Sequence, residues 1–207
     1  MIEYVFRTHF RLAVHAALLF TVGLFLSWPV IHYRLEALAR LPLALFRFAI
    51  RLIGTSPSIA RTAGVIFCFN SVAIFVYMAS GFHPVLPKIF GVWTGMNIGT
   101  IVGMARREED FLQAGRPSPG QWLPPSPLTA ICGVLVLVLE LACFWFSIAM
   151  GMGMGHAVQA GAERYFDALA VRTRAYALVV LPVLALSAIA EAIAIRGCAG
   201  QAPQAET

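Results

Sequence analysis

Asn70, Asn97 and Glu140 each stand about ten residues from either end of a long apolar run, and Glu191 stands near the end of another. The stretch Leu135-Val-Leu-Val-Leu-Glu-Leu-Ala-Cys-Phe-Trp-Phe146 surrounds Glu140 with large apolar neighbours. A charged side chain at mid-depth in a bilayer costs about 2.5–3.5 kcal/mol on insertion scales, so such a group faces the interior of a helix bundle and takes a partner. Two chemistries follow. Glu140, as a protonated acid or a paired carboxylate, locks helix register against an asparagine amide, or it binds a proton or ion. At about 1.5 Å per residue, Asn70, Asn97 and Glu140 reach one depth and form, with Glu191, an expected intramembrane polar cluster. Glu191 lies five residues before Arg196, within reach of a terminal ion pair.

The elements that position these groups follow from composition. The chain is 59% hydrophobic and 12% charged, with a mean hydropathy of +0.79, far from the average of soluble domains. Five runs are long and apolar enough for a hydrocarbon core about 30 Å thick: about 12–31, 62–81, 86–105, 128–150 and 175–195. The first follows Arg7 and Arg11 and ends Ser27-Trp28-Pro29 without a small-residue cleavage site, so it reads as a retained span. The expected fold class is therefore all-α, a single membrane domain of five spans.

Between the first two runs, residues 33–53 form an amphipathic interfacial helix. Glu36, Arg40, Arg47 and Arg51 share one sector, while Leu38, Leu41, Leu45, Phe48 and Leu52 fill the opposite side, with a bend expected at Pro42. Arg40, Arg47, Arg51 and Trp122 are the expected interfacial lipid contacts. Gly81-Phe-His-Pro-Val-Leu-Pro87 reads as a tight turn between antiparallel spans. Arg106-Arg-Glu-Glu-Asp110 opens a solvated, proline-rich connection, residues 156–174 form a polar helix outside the core, and residues 198–207 form a disordered tail. Counting Lys and Arg near span ends gives nine on the side of the amphipathic segment and six on the other, which places the N-terminus outside and the C-terminus in the cytoplasm of an inner membrane.

Gly91, Gly95, Gly99 and Gly103 repeat every four residues along the third span, a stripe that lets another helix approach backbone to backbone. Asn97 points away from it. Met150-Gly-Met-Gly-Met-Gly-His156 reads as close packing at a helix end rather than a soft-metal site. Cys68, Cys132, Cys143 and Cys198 lack Cys-x-x-Cys spacing and read as packing thiols, and His9, His15, His32, His83 and His156 fall at span ends or outside. No metal or cofactor site, phosphate loop or nucleophile motif emerges, so a non-enzymatic protein is expected. A net charge of +5 spread along membrane flanks suits anionic headgroups rather than nucleic acid.

The order of features carries a resemblance. Phe67-Cys-Phe-Asn70 opens a span that ends at Gly81, a prolyl turn follows, and Gly95 and Gly99 lie in the next span. Then come Glu140 with Ala142, Gly151 with Gly155, and Ala188-Ile-Ala-Glu191. Over about 60–195 this resembles the stage II sporulation protein M family of five-span membrane proteins. Thr94-Gly95 stands where that family often has Asn-Gly, and Leu135-Val136-Leu137 where it commonly has Pro-His-Gly. The resemblance implies a non-enzymatic integral membrane subunit, a scaffold or partner in a larger assembly. Its expected partners are membrane lipids, other membrane subunits and further copies of itself. Two alternatives stand beside it: a small transporter or channel-like module built on the midplane Glu/Asn site, and an accessory subunit of an energy-converting complex.

Overall fold

The computed structural model describes residues 2–54, 58–114 and 127–199, and these are helical with no strand among them. Trp122 and residues 200–207 lie outside the described residues. The helices are α1 (Ile2–His32), α2 (Glu36–Ile53), α3 (Ile59–Ala79), α4 (Leu86–Ala114), α5 (Pro127–Gln159), α6 (Tyr165–Ala175) and α7 (Leu181–Ala199). A 3₁₀ turn, Ser80–Phe82, follows α3, and a π-helical turn, Tyr176–Val180, joins α6 to α7.

Local chemistry sets the boundaries. Ser58 caps α3, its side chain accepting from the Arg61 backbone N–H at 3.2 Å. Gly54 (φ 85°) ends α2 in a backbone conformation that glycine adopts without penalty, and Gly161 (φ 69°) lies in the turn that follows α5. Pro42 lies within α2, which continues through it. Three expected boundaries move. The charged run at 106–110 is helical, because α4 extends to Ala114 rather than giving way to a loop. The span expected to end at Met150 continues as α5 to Gln159 and takes in the Met-Gly run near its C-terminal end, and the helix before residue 174 is continuous with the last span through the π turn.

Among the described residues four helices are long and apolar enough to cross a membrane: His9–His32, Ile59–Phe82, Ala130–Gln159 and Tyr165–Arg196. Of the five expected runs, 86–105 on α4 is the one that does not meet this measure of length and apolarity. Lys88, Thr94, Asn97, Thr100 and the glycines dilute the apolarity of α4. The exposed sides of the four are greasy. On α1, Phe10, Val14, Leu18, Val22 and Phe25 form one exposed row, while Ala16, Phe20, Ser27 and Val30 face inward and are buried. A long helix that is apolar on its exposed side as well as its buried one is unlike a water-soluble helix, and lipid is the solvent that favours it.

Neighbouring residue pairs give the helix directions. Leu19, Phe20, Ser27 and Ile31 of α1 meet Gly91, Gly95, Gly99 and Gly103 of α4 in order, so α1 and α4 run parallel. Phe20 meets Phe144 while His9 meets Phe146 and Gly153, so α5 runs antiparallel to α1. Asn70 meets Glu140 and Tyr77 meets Gly151, so α3 runs with α5. The chain therefore alternates direction through α1, α3, α4, α5 and α7, with α2 lying across the end where α1 finishes and α3 begins.

Candidate functional site

The polar interior is built where α3, α5 and α7 meet. Asn70 Nδ2 donates to Glu140 Oε1 at 2.6 Å, joining α3 to α5. Ser187 and Glu191, one turn apart on α7, both lie close enough to the Glu140 carboxyl to act on it electrostatically. Ser187 is fully buried, yet its hydroxyl has no partner at hydrogen-bonding geometry, so it faces the carboxyl without closing a bond to it. Three helices thus converge on one acid, with an amide from the first, a hydroxyl and a second carboxyl from the third.

Tyrosines tie the same helices together. Tyr176 in the π turn donates to the Ser71 carbonyl at 2.6 Å and stacks edge-on against Phe75, while Tyr165 donates to the Ala79 carbonyl at 2.7 Å. Cys143 Sγ approaches the Val180 carbonyl at 3.9 Å, on a turn whose wider winding disturbs the regular carbonyl pairing of an α-helix. These bonds were not read from sequence. Ser187 and Glu191, spaced four apart in a helix, carried the signal that would have placed them on one face with the acid; the tyrosines at a polar helix end carried none.

Two expected members of the cluster behave otherwise. Asn97 forms no hydrogen bond with Asn70 or Glu140, and its Oδ1 is buried with no hydrogen-bond partner. The reason is packing: α4 lies chiefly against α1 and touches α3 only lightly, chiefly through Tyr77, which contacts Phe90 and accepts from Thr94 Oγ1 at 3.0 Å. Glu191 forms no ion pair with Arg196 among the described residues; it lies near enough to Glu140 to act on it electrostatically, while Arg196 is exposed at the helix end.

The glycine stripe of α4 meets α1. A Cβ at Gly95 would run into the Phe20 carbonyl, one at Gly99 into the Ser27 side chain and one at Gly103 into Ile31, while one at Gly91 would press on the Leu19 side chain more tightly than ordinary packing allows. Gly23 of α1 reciprocates against the Val92 carbonyl and the Met96 amide. The second glycine set works on α5: Gly151 abuts the Tyr77 and Met78 carbonyls, Gly155 abuts Pro84, and Gly81 in the 3₁₀ turn abuts the Gly151 carbonyl. Met150, Met152 and Met154 between them are fully buried. Positions two apart on a helix point to nearly opposite sides, so burial of all three means that this stretch of α5 is packed on both.

Arg40, Arg47 and Arg51 are exposed on α2, as are Leu38, Leu41, Leu45, Phe48 and Leu52; Ala39, Pro42 and Leu43 are its inward residues, packing with Val30, Trp93 and Met96. Cys68 is exposed, Cys132 and Cys143 are buried, and all three are free thiols. Among the described residues no three His, Cys, Asp or Glu side chains are grouped to hold a metal ion. Comparison with protein-family models, with curated proteins and with solved structures finds no match.

Proposed function

We propose that this chain is a non-enzymatic integral membrane subunit, a scaffold or partner in a larger assembly of the kind that the resemblance to the stage II sporulation protein M family implies. The observation that carries this reading is the engagement of interior polar groups across helices: Asn70 with Glu140, Tyr77 with Thr94, Tyr176 with Ser71 and Tyr165 with Ala79. Such bonds fix one arrangement of helices. The first half of α5 offers the outward counterpart, since Ile131, Val134, Leu135, Leu137 and Val138 are exposed around most of its circumference.

In this reading α4 is a fifth crossing. It runs parallel to α1 and stays in backbone-close register with it from Leu19 to Ile31, so it accompanies a span for most of that span's length. An odd number of crossings sets the termini on opposite faces, and the Lys/Arg bias puts the C-terminus and α2 on the cytoplasmic side. Native mass spectrometry of the chain purified from its own membrane in mild detergent tests the proposal. Stoichiometric membrane-protein partners are expected; recovery as a lone stable monomer overturns it.

The convergence of Glu140, Glu191, Ser187 and Asn70 favours a second reading, a proton or ion site. Glu140→Gln separates the two: loss of a proton-coupled flux in reconstituted vesicles selects the site, and a lowered melting temperature without any flux to lose selects the scaffold.

A further inference from the structure

Where α1 ends, α2 crosses and α4 passes, a groove of about 1000 Å³ opens, at the upper end of the range of about 300–1,000 Å³ for small-molecule sites. Its lining is cationic at Arg34, Arg40 and Arg47, against the single carboxylate of Glu36, and apolar at Val30, Ala39, Leu43 and Met104. None of the three guanidiniums makes a hydrogen bond or an ion pair among the described residues. Three unpaired cations beside one acid leave an excess of positive charge looking for an anion.

Depth identifies which anion. The groove lies at the end of the span His9–His32, and there Trp28 stacks on His32 with ring centroids 4.8 Å apart while Tyr33 stands edge-on to both. Trp28 and Tyr33 are well exposed, and exposed Trp and Tyr at a helix end settle at headgroup level. Leu38, Leu41 and Leu45 expose an apolar row on the same helix that carries the arginines. A soluble anion has no use for an apolar wall, whereas a phospholipid presents a phosphate and a hydrocarbon chain in this arrangement.

We infer that this groove binds one anionic phospholipid of the surrounding leaflet, its phosphate held by Arg34, Arg40 and Arg47 and its upper acyl chain lying against Val30, Ala39 and Leu43. The site needs α1 to be a membrane span, but it is independent of the scaffold reading and of any partner subunit.

The test uses the full chain in neutral detergent, titrated with phosphatidylglycerol or with phosphatidylcholine of matched chains, and read by native mass spectrometry and by thermal shift. Phosphatidylglycerol should bind as a single retained adduct and raise the melting temperature, and phosphatidylcholine should do neither. Arg40→Gln with Arg47→Gln should weaken the adduct by about tenfold or more, as expected of two basic groups at an anionic surface. Arg164→Gln, exposed at the start of α6 and away from the groove, should leave it unchanged. Equal binding of the two lipids, an unaffected double variant or an equal loss in Arg164→Gln would each overturn the site. Displacement of the adduct by inorganic phosphate would reassign it to a soluble anion. Capture of an acidic protein segment in place of lipid would reassign it to a protein interface.

Discussion

The α1–α4 seam and the α3–α5–α7 seam solve the same problem by opposite means. Lipid removes the hydrophobic force between helices, so each seam must be held by packing or by polar bonds. Between α1 and α4 the residues are small, Gly23, Gly95 and Gly99 among them, and backbones nearly touch. Around Glu140, between α3, α5 and α7 and apart from the glycine contact at Gly151, the residues are large, Phe75, Phe144 and Tyr176 among them, and the helices are joined by side-chain hydrogen bonds. The first seam tolerates no added atom; the second tolerates change of shape but not loss of a bond.

Gly95→Val attacks the first seam at its tightest point and should cost about 3 kcal/mol or more, the severe end of overpacking, because the obstacle is the Phe20 backbone rather than a movable side chain. Thermal unfolding in detergent measures it, and a near-native melting temperature would mean that the seam is looser than described. Glu140→Leu attacks the second. Leaving the Asn70 amide unsatisfied should cost about 1–2 kcal/mol, while Glu140→Gln, whose amide oxygen still accepts, should cost less than half of that. A double-mutant cycle of Asn70→Ala with Glu140→Ala should return a coupling of about 1 kcal/mol, and zero coupling would break the comparison. Tyr176→Phe removes one hydroxyl from the same seam and should cost about 1 kcal/mol in the same unfolding measurement. Gly133→Ala, exposed with no neighbour near its missing Cβ, should stabilise α5 by about 0.5 kcal/mol through helix propensity alone. Destabilisation there would place a close neighbour on that face.

Much of the first seam was legible. The four-residue glycine spacing marked a face for close approach, but the identity of its partner depended on long-range packing that no local pattern encodes. Glu140 and Asn70 stood out because polar groups in apolar runs are conspicuous and must find each other or water. Asn97 stood out for the same reason and misled, since equal depth does not imply a shared face: depth follows from counting residues, whereas azimuth follows from which neighbour α4 packs against. The third run, 86–105, looked like a span by length but falls short in apolarity because Lys88, Asn97 and the glycines fitted for contact with α1 dilute it. The methionines at 150, 152 and 154 show the converse. Their alternation with glycine reads as close packing, and in the fold Gly151 and Gly155 admit neighbouring backbones while the methionines fill what remains.

The π turn at Tyr176–Val180 behaves as a frame-setting insertion. A π turn holds one residue more than the α turn it replaces, and one residue on a helix is a rotation of about 100°. Everything C-terminal to it is dialled by that amount, including Ser187 and Glu191, which it turns toward Glu140. Deleting a single residue within 176–180 would straighten the helix into regular α winding while swinging both groups away from the acid. The reading frame of the polar centre is thus written about two turns before its own residues begin.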